Sequence, residues 1–152
     1  MTTNAAQAQS TGPTLALRGA HVAVRVGDGE AGIAWYRDML DMRVARAFGL
    51  NGMTFTEMAL PGADPFRIEL VSGPGADGGP AGTDLAESFG ALGWHHLGLW
   101  VDDIDGTVAE LRRRGATITL DPTDNAHWSV RVAFLVDPWN NVIELLQTIE
   151  AP

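Results

Sequence analysis

The chain has 152 residues, which is about the length of one domain and enough to bury a core. Its formal net charge of −9, from 19 acids against 10 bases, disfavours nucleic acid or an anionic membrane as a partner because no basic stripe is present to neutralise phosphates. The absence of cysteine excludes disulfides, thiolate metal sites and cysteine nucleophiles, and it fits a cytoplasmic location.

The predicted elements follow one order twice, and that order is strand, helix and three strands. A first module over about residues 18–73 opens with alternating apolar residues, which predict a strand, and continues into an amphipathic helix. Its elements are predicted near residues 19–26, 31–41, 43–49, 52–60 and 66–72. A second module covers about residues 93–149, with elements predicted near residues 94–101, 105–114, 116–120, 129–136 and 141–148.

Two segments lie outside these modules. Residues 1–14 are small and polar, which predicts a disordered arm rather than a signal peptide, so a single domain is predicted over residues 15–150. The stretch "SGPGADGGPAGTD" is rich in glycine and proline and predicts a linker over residues 74–92. No apolar run is long enough to span a bilayer, so we expect no membrane association.

The two modules share paired residues at one offset. "HVAVRVGD" begins at His21 and "HLGLWVDD" begins at His96, which is 96 − 21 = 75 residues later. "FRIELV" carries Glu69 and "NVIELL" carries Glu144, and 144 − 69 is again 75. Each glutamate therefore lies 48 residues after its histidine. Two unrelated features with the same offset indicate a duplicated module.

Strand parity distinguishes the two adjacent histidines of "GWHHLGLW". Neighbouring side chains of a strand point to opposite faces, so His95 and His96 cannot have the same role. His96 is the counterpart of His21 and lies opposite the apolar Leu97 and Leu99, whereas His95 shares their parity. We therefore predict that His96 faces the site and that His95 points to the helix-packed side or to the sheet margin.

The same parity turns both glutamates away from the helix-packed face of their strands. Two imidazoles and two carboxylates suit a divalent metal such as Ni, Zn, Co, Mn or Fe(II), with positions left open for substrate. A single histidine or glutamate in a strand is more often hydrogen-bonded or solvated, but four at matched spacing and parity predict a metal site. The predicted ligands are His21, Glu69, His96 and Glu144.

Two further residues are predicted to contact substrate. Trp100 shares the inward face with His96 and is expected to line the pocket. His127 precedes a strand near the expected cavity mouth and is a second candidate. An exposed loop histidine beside a packing Trp128 is the alternative interpretation of that segment.

The sequence resembles the vicinal oxygen chelate superfamily, which includes glyoxalase I, extradiol dioxygenases, methylmalonyl-CoA epimerase and the fosfomycin and bleomycin resistance proteins. The resemblance extends from Arg18 to Thr148 and is carried by "HVAVRVGD", "WYRDML", "HLGLWVDDID", "AELRRRGATI" and "VAFLVDPWNNVIELLQ". It implies an α+β fold in which two tandem βαβββ modules form a half-open, barrel-like mixed sheet around a metal site. It also implies that the four residues above are the ligands, and that two copies pair as a homodimer.

Within the superfamily, the His/Glu/His/Glu set is similar to that of bacterial glyoxalase I. Extradiol dioxygenases use two His and one Glu, and the epimerases generally have Gln where this chain has Glu69. Arg25 matches an arginine that holds the glutamyl carboxylate of glutathione in glyoxalase I. The asparagine of glyoxalase I four residues after its first metal glutamate is Gly73 here. We therefore expect a small oxygenated substrate other than a glutathione hemithioacetal.

The resemblance implies a metal-dependent enzyme with isomerase or lyase chemistry. A carboxylate beside the metal moves a proton on or off the substrate carbon, and we assign Glu144 as the base and Glu69 as its partner and acid. One alternative is an Fe(II) dioxygenase that uses His21, His96 and Glu144 as a facial triad. The other is an antibiotic-binding resistance protein without chemistry.

Overall fold

Each half of the chain folds as strand, helix and three strands in the computed structural model, which describes residues 19–62, 65–75, 85, 89 and 93–149. The first unit contains β1 (His21–Arg25), α1 (Gly29–Leu40), β2 (Arg43–Leu50), β3 (Met53–Ala59) and β4 (Arg67–Ser72). The second contains β5 (His96–Trp100), α2 (Ile104–Arg114), β6 (Thr117–Asn125), β7 (Val130–Val136) and β8 (Val142–Thr148). The arm predicted over residues 1–14 and most of the linker predicted over residues 74–92 lie outside the described residues.

The two sheets have the same topology. Their strand orders are β1-β4-β3-β2 and β5-β8-β7-β6, with a parallel first pair and antiparallel pairs after it. This arrangement confirms the two predicted βαβββ modules. Within the described residues the sheets remain two separate four-stranded units that do not close into a barrel, whereas the resemblance implied a half-open, barrel-like mixed sheet.

Aspartates fix the start of both helices. Asp28 accepts a 2.8 Å hydrogen bond from the backbone N–H of Ala31, and Asp103 accepts one of 3.0 Å from Gly106. These side chains satisfy N–H groups that have no partner inside the helix. Each aspartate lies seven residues after the histidine of its module, so both helices begin at the same sequence distance from their histidines.

The helices and the inner sheet faces form one core that includes residues of both units. Its buried members include Tyr36, Met58 and Ile68 from the first unit, and Val108, Leu135 and Ile143 from the second. The faces that carry the histidines and glutamates point away from this core. No helix in the described part of the chain is long and apolar enough to cross a membrane.

Strand β6 is longer than predicted. The sequence predicts a strand over residues 116–120, whereas β6 continues through "DPTDN" to Asn125. Pro122 lacks an N–H and usually ends a strand, but β6 is an edge strand and two register shifts accommodate the irregularity. A proline at a sheet edge is therefore compatible with continued pairing to β7.

Candidate metal centre

The second unit brings His96 and Glu144 into direct contact. His96 begins β5, Glu144 lies in the adjacent β8, and His96 Nε2 is 3.1 Å from Glu144 Oε2. Gly98 lies opposite Glu144 in the register, and a Cβ at Gly98 would lie 3.5 Å from the carboxylate and 3.1 Å from Leu146. A glycine at this position leaves room for the glutamate beside the histidine.

The first unit repeats this arrangement more loosely. His21 and Glu69 lie in the parallel strands β1 and β4, and His21 Nε2 is 3.9 Å from Glu69 Oε2. Ala23 lies opposite Glu69 where the second unit has Gly98. Glu69 and Glu144 are both only 9% exposed.

The chain presents these residues as two half-sites. The first half-site is His21 with Glu69, and the second half-site is His96 with Glu144. Among the described residues, no three His, Asp or Glu side chains lie close enough together to hold a metal ion. One chain therefore brings together the members of each pair but does not bring the two pairs together.

The chemistry of each half-site fits a divalent cation. A nine-tenths buried carboxylate beside an imidazole offers one oxygen and one nitrogen donor, and such a carboxylate gains from a positive charge. Each half-site alone supplies two donors. Two half-sites facing each other would supply the two nitrogens and two oxygens that a first-row divalent metal accepts.

An apolar surface surrounds the second half-site. Phe134 lies opposite Glu144 across β7 and β8, and its ring meets the His96 ring edge-on at 5.6 Å between centroids. Further apolar side chains pack around it on this face, namely Val130, Val132, Leu120, Val142, Leu146 and Leu85. This face therefore suits an apolar part of a ligand.

A charged surface surrounds the first half-site. Glu57 lies opposite Glu69 across β3 and β4, in the register position that Phe134 holds beside Glu144. Arg46 forms a hydrogen-bonded ion pair with Glu57. That hydrogen bond holds the pKa of the Glu57 carboxyl below its ordinary value, and the charges of Arg46, His21 and Arg67 lower it as well. Glu57 is not among the residues predicted from the sequence, although its position in "TFTEM" has the parity of the site face.

Two of the predicted substrate contacts lie at the ends of the first strands. Arg25 ends β1, and its guanidinium Nη2 donates to the carbonyls of Gly73 at 3.4 Å and Pro74 at 3.3 Å. Trp100 ends β5 at the equivalent position and is 67% exposed. Trp100 also borders a groove of about 990 Å³ between the end of α1 and the β5–α2 segment, and none of the four predicted ligands lines that groove.

The third predicted substrate contact, His127, lies in the exposed turn between β6 and β7. The register places this turn beside Thr148, at one end of β8, whereas His96 lies opposite Val142 at the other end. The chain therefore does not bring His127 to its own second half-site. The alternative interpretation, an exposed loop histidine, matches its exposure, but the neighbouring Trp128 is 67% exposed and is not a packing residue.

His95 lies just before β5, and its ring is directed toward His96. The Nδ1 atoms of the two rings are 2.7 Å apart, and the ring planes meet at 89°. The other face of the His95 ring stacks on Phe89 at 4.2 Å. His95 thus lies at the sheet margin, one of its two predicted locations, but in direct contact with a predicted ligand.

The chain is similar to known proteins over most of its length. Residues 18–145 match the family described as the Glyoxalase/Bleomycin resistance protein/Dioxygenase superfamily. The chain is 32% identical over 132 residues to a probable lactoylglutathione lyase of Synechocystis, covering 84% of this chain and 93% of the relative. It is 30% identical over 130 residues to the lactoylglutathione lyase of Haemophilus influenzae, covering 84% of this chain and 90% of the relative.

The solved structure of glyoxalase I from Zea mays has the same fold, with a TM-score of 0.69 at 24% identity. The likeness covers 88% of this chain and 45% of the maize chain, so this chain spans less than half of that protein. The predicted glyoxalase-like fold is confirmed by this likeness. The two relatives above are named as lyases, one of the two classes of enzyme that the resemblance implies.

Proposed function

Because this chain belongs to the Glyoxalase/Bleomycin resistance protein/Dioxygenase superfamily, we propose that it is a metal-dependent enzyme that moves a proton on a small oxygenated substrate, in lyase or isomerase chemistry. The observation that carries the proposal is the repeated pair of a histidine and a buried glutamate, at equivalent positions of two equivalent sheets. The names of the relatives support lyase chemistry in particular.

The proposed site forms between two copies of the chain. The first half-site of one copy would face the second half-site of the other, so that His21, Glu69, His96 and Glu144 hold one divalent metal. Large apolar side chains on exposed faces support such pairing, since Phe48, Leu50 and Trp100 are 45%, 56% and 67% exposed. A homodimer would therefore contain two sites.

The residues of the site then have distinct roles. When bound, the metal supplies Lewis-acid stabilisation of charge on the substrate oxygens. Glu144 removes the proton from the adjacent carbon and becomes protonated, and Glu69, protonated beforehand, delivers its own proton from the opposite side. The apolar face around Phe134 packs against the apolar part of the substrate, while the two carboxyl groups exchange their protons with solvent between turnovers.

The asymmetric walls of the site define the proposed substrate. An apolar substituent fits the face around Phe134, and a polar end fits the charged face of Arg46 and Glu57. The Arg25 guanidinium is engaged by the Gly73–Pro74 loop rather than directed to a ligand carboxylate. We therefore expect a compact α-hydroxy or α-oxo carbonyl compound to be preferred over a glutathione conjugate.

Mixing two inactive variants tests the shared site. His21→Ala and His96→Ala chains each lack a ligand for every site of their own homodimers. A heterodimer between them would hold one site with all four ligands, so random mixing should restore about a quarter of the wild-type metal sites. Metal content by mass spectrometry would measure this. Metal sites that are absent from the mixture, although wild type and mixture are dimeric, would contradict the shared site.

Exchange in deuterated water tests the chemistry. Purified protein loaded with Ni²⁺, Zn²⁺ or Co²⁺ is incubated with a panel of α-hydroxy ketones, and with lactoylglutathione because the relatives carry that name. We expect deuterium at the carbon next to the carbonyl, and none with Glu144→Gln. Oxygen consumption by the Fe²⁺ form, without exchange in any other form, would instead identify a dioxygenase.

A further inference from the structure

We propose that His95 is a positioning residue that sets the tautomer of His96 and thereby prepares the second half-site for a metal. This inference rests on the proposed function, because it takes His96 as a ligand. It adds a residue that parity alone turns away from the site face. The evidence is the geometry of three rings, namely Phe89, His95 and His96.

The contact between the two histidines is a hydrogen bond. At 2.7 Å between their Nδ1 atoms, one ring donates an N–H and the other accepts. A neutral imidazole carries its proton on one nitrogen only, so the state of one ring dictates that of its neighbour. The stack on Phe89 at 4.2 Å holds the His95 ring in place for this bond.

Without a metal, both contacts of His96 are satisfied in one tautomer. In that tautomer His96 would donate from Nε2 to Glu144 Oε2, 3.1 Å away, and its Nδ1 would accept from His95. A metal ligand needs the opposite tautomer, with a lone pair on Nε2 and the proton on Nδ1. In that tautomer His96 Nδ1 donates the hydrogen bond and His95 Nδ1 accepts it. His95 then carries its own proton on Nε2. The pair therefore adapts without losing its hydrogen bond.

The first half-site differs at the position equivalent to His95. Residue 95 − 75 = 20 is Ala20, which has no ring to hold His21. His21 is correspondingly more exposed, with 44% of its side chain accessible against 32% for His96, and it lies farther from its glutamate, at 3.9 Å against 3.1 Å. The two half-sites therefore differ in preorganisation, and His95 accounts for the better ordered one.

Zinc titration of three variants tests the role of His95. His95→Phe keeps a ring that can stack on Phe89 but removes the hydrogen bond, and it should weaken Zn²⁺ binding about 10- to 100-fold, as loss of a ligand's hydrogen-bond partner typically does. His95→Asn places an acceptor near the position of Nδ1 and should recover most of the affinity. Trp94→Ala is the matched control, because this neighbouring side chain is 90% exposed and should leave the affinity unchanged.

Imidazole nitrogen NMR gives a second readout that does not depend on activity. The chain has four histidines, so single substitutions assign every ring. We expect the His96 proton on Nδ1 in the Zn²⁺ form of the wild type, and on Nε2 without metal. In folded His95→Phe the metal-free ring should be a mixture of tautomers.

Failure of the proposed role of His95 and failure of the proposed metal site give different results. If the wild type binds Zn²⁺ through His96, but His95→Phe binds it equally tightly with an unchanged tautomer, the role of His95 is wrong and the metal site stands. If His96→Ala binds Zn²⁺ as tightly as the wild type, the proposed site itself is wrong. A His95→Phe chain that fails to fold would leave His95→Asn and the wild-type NMR signals to decide the question.

Discussion

The hydroxyl of Tyr36 donates a 3.1 Å hydrogen bond to Asp137, 101 residues farther along the chain, and so joins the two halves of the fold. Asp137 also accepts from the backbone N–H groups of Trp139 and Asn141 at 2.9 and 2.8 Å. The Asn141 side chain donates both to Asp137 and to the carbonyl of Arg25 at the end of β1. The turn "DPWNN" of the second unit is therefore held to the first by side chains.

Alkaline titration should show no ionisation of this tyrosine in the folded protein. Burial raises the pKa of the Tyr36 hydroxyl far above its ordinary value, and Asp137 raises it further. A phenol whose folded pKa is raised adds stability that is present below about pH 10, the ordinary tyrosine value, and that is lost as the pH rises above it. Since Tyr36 is the only tyrosine, absorbance at the tyrosinate band reports this residue alone.

We expect tyrosinate absorbance to rise together with unfolding, measured by circular dichroism, rather than near pH 10. Tyr36→Phe should be less stable at neutral pH by about 1–2 kcal/mol, because Asp137 loses a buried donor. Its stability should also fall less steeply above pH 10. Tyrosinate formation near pH 10 in a protein that remains folded would contradict the buried hydrogen bond.

Arg114 should matter more than its neighbour Arg113. Arg114 donates to the carbonyls of Asp38 and Met39 and to the Asp41 carboxylate, so it satisfies groups at the C-terminal end of α1 from the other unit. Arg113 bonds to Glu110 within its own helix. Arg114→Ala should lower the thermal midpoint by about 2–4 °C and Arg113→Ala by less than 1 °C, measured by calorimetry. Equal shifts of the thermal midpoint would show that the link between the units adds nothing to stability.

Gly73 should resist substitution more than Gly75. Both have a positive φ, of 137° and 75°, but a Cβ at Gly73 would also lie 2.8 Å from Met53 Sδ and 2.9 Å from the Gly52 carbonyl. Gly73→Ala should destabilise the fold by about 2–4 kcal/mol and Gly75→Ala, which has open space, by about 1–2 kcal/mol, measured by urea unfolding. Gly73→Asn should be at least as harmful as Gly73→Ala. A stable Gly73→Asn protein would show that this loop can accommodate the asparagine of glyoxalase I.

Glu69 and Glu57 should differ in their effect on metal affinity, although they lie side by side. Glu69→Gln removes a proposed ligand and should weaken Zn²⁺ binding about 100-fold or more, whereas Glu57→Gln removes a neighbouring charge and should weaken it about tenfold or less. Isothermal titration measures both. A larger loss from Glu57→Gln would exchange the roles of the two carboxylates.

Much of this site can be predicted from spacing and parity, because both are local properties of strands. The offset of 75 residues and the alternation of side chains predict that His21, Glu69, His96 and Glu144 share the site face of their strands. The structure places each histidine beside the glutamate of its own module. The duplication predicted that both halves share one topology, and the two sheets do have equivalent strand orders. The resemblance predicted the same fold from the motifs.

Features that depend on contacts between distant segments were not predictable. The stack of Phe89 on His95 was not predictable either, because Phe89 lies outside the predicted strands, where side-chain alternation does not apply. The engagement of Arg25 by Gly73 and Pro74 depends on the course of a loop rather than on a strand. The separation of the two half-sites follows from packing of the two units through a shared core, which strand parity does not determine.

Glu57 and Phe134 occupy equivalent positions beside Glu69 and Glu144, and the difference between them has a consequence for stereochemistry. A substrate that binds through two oxygens in a twofold-symmetric site has two equivalent orientations, related by a half-turn, and these expose opposite faces of its carbon. In the proposed assembly one wall is an ion pair and the other is a phenylalanine, so the inverted orientation places an apolar group on charges and a polar group on an aromatic ring. That mismatch costs about 1–3 kcal/mol, or roughly 10- to 100-fold in preference. A duplicated, once symmetric site would in this way become selective for one hand of its substrate.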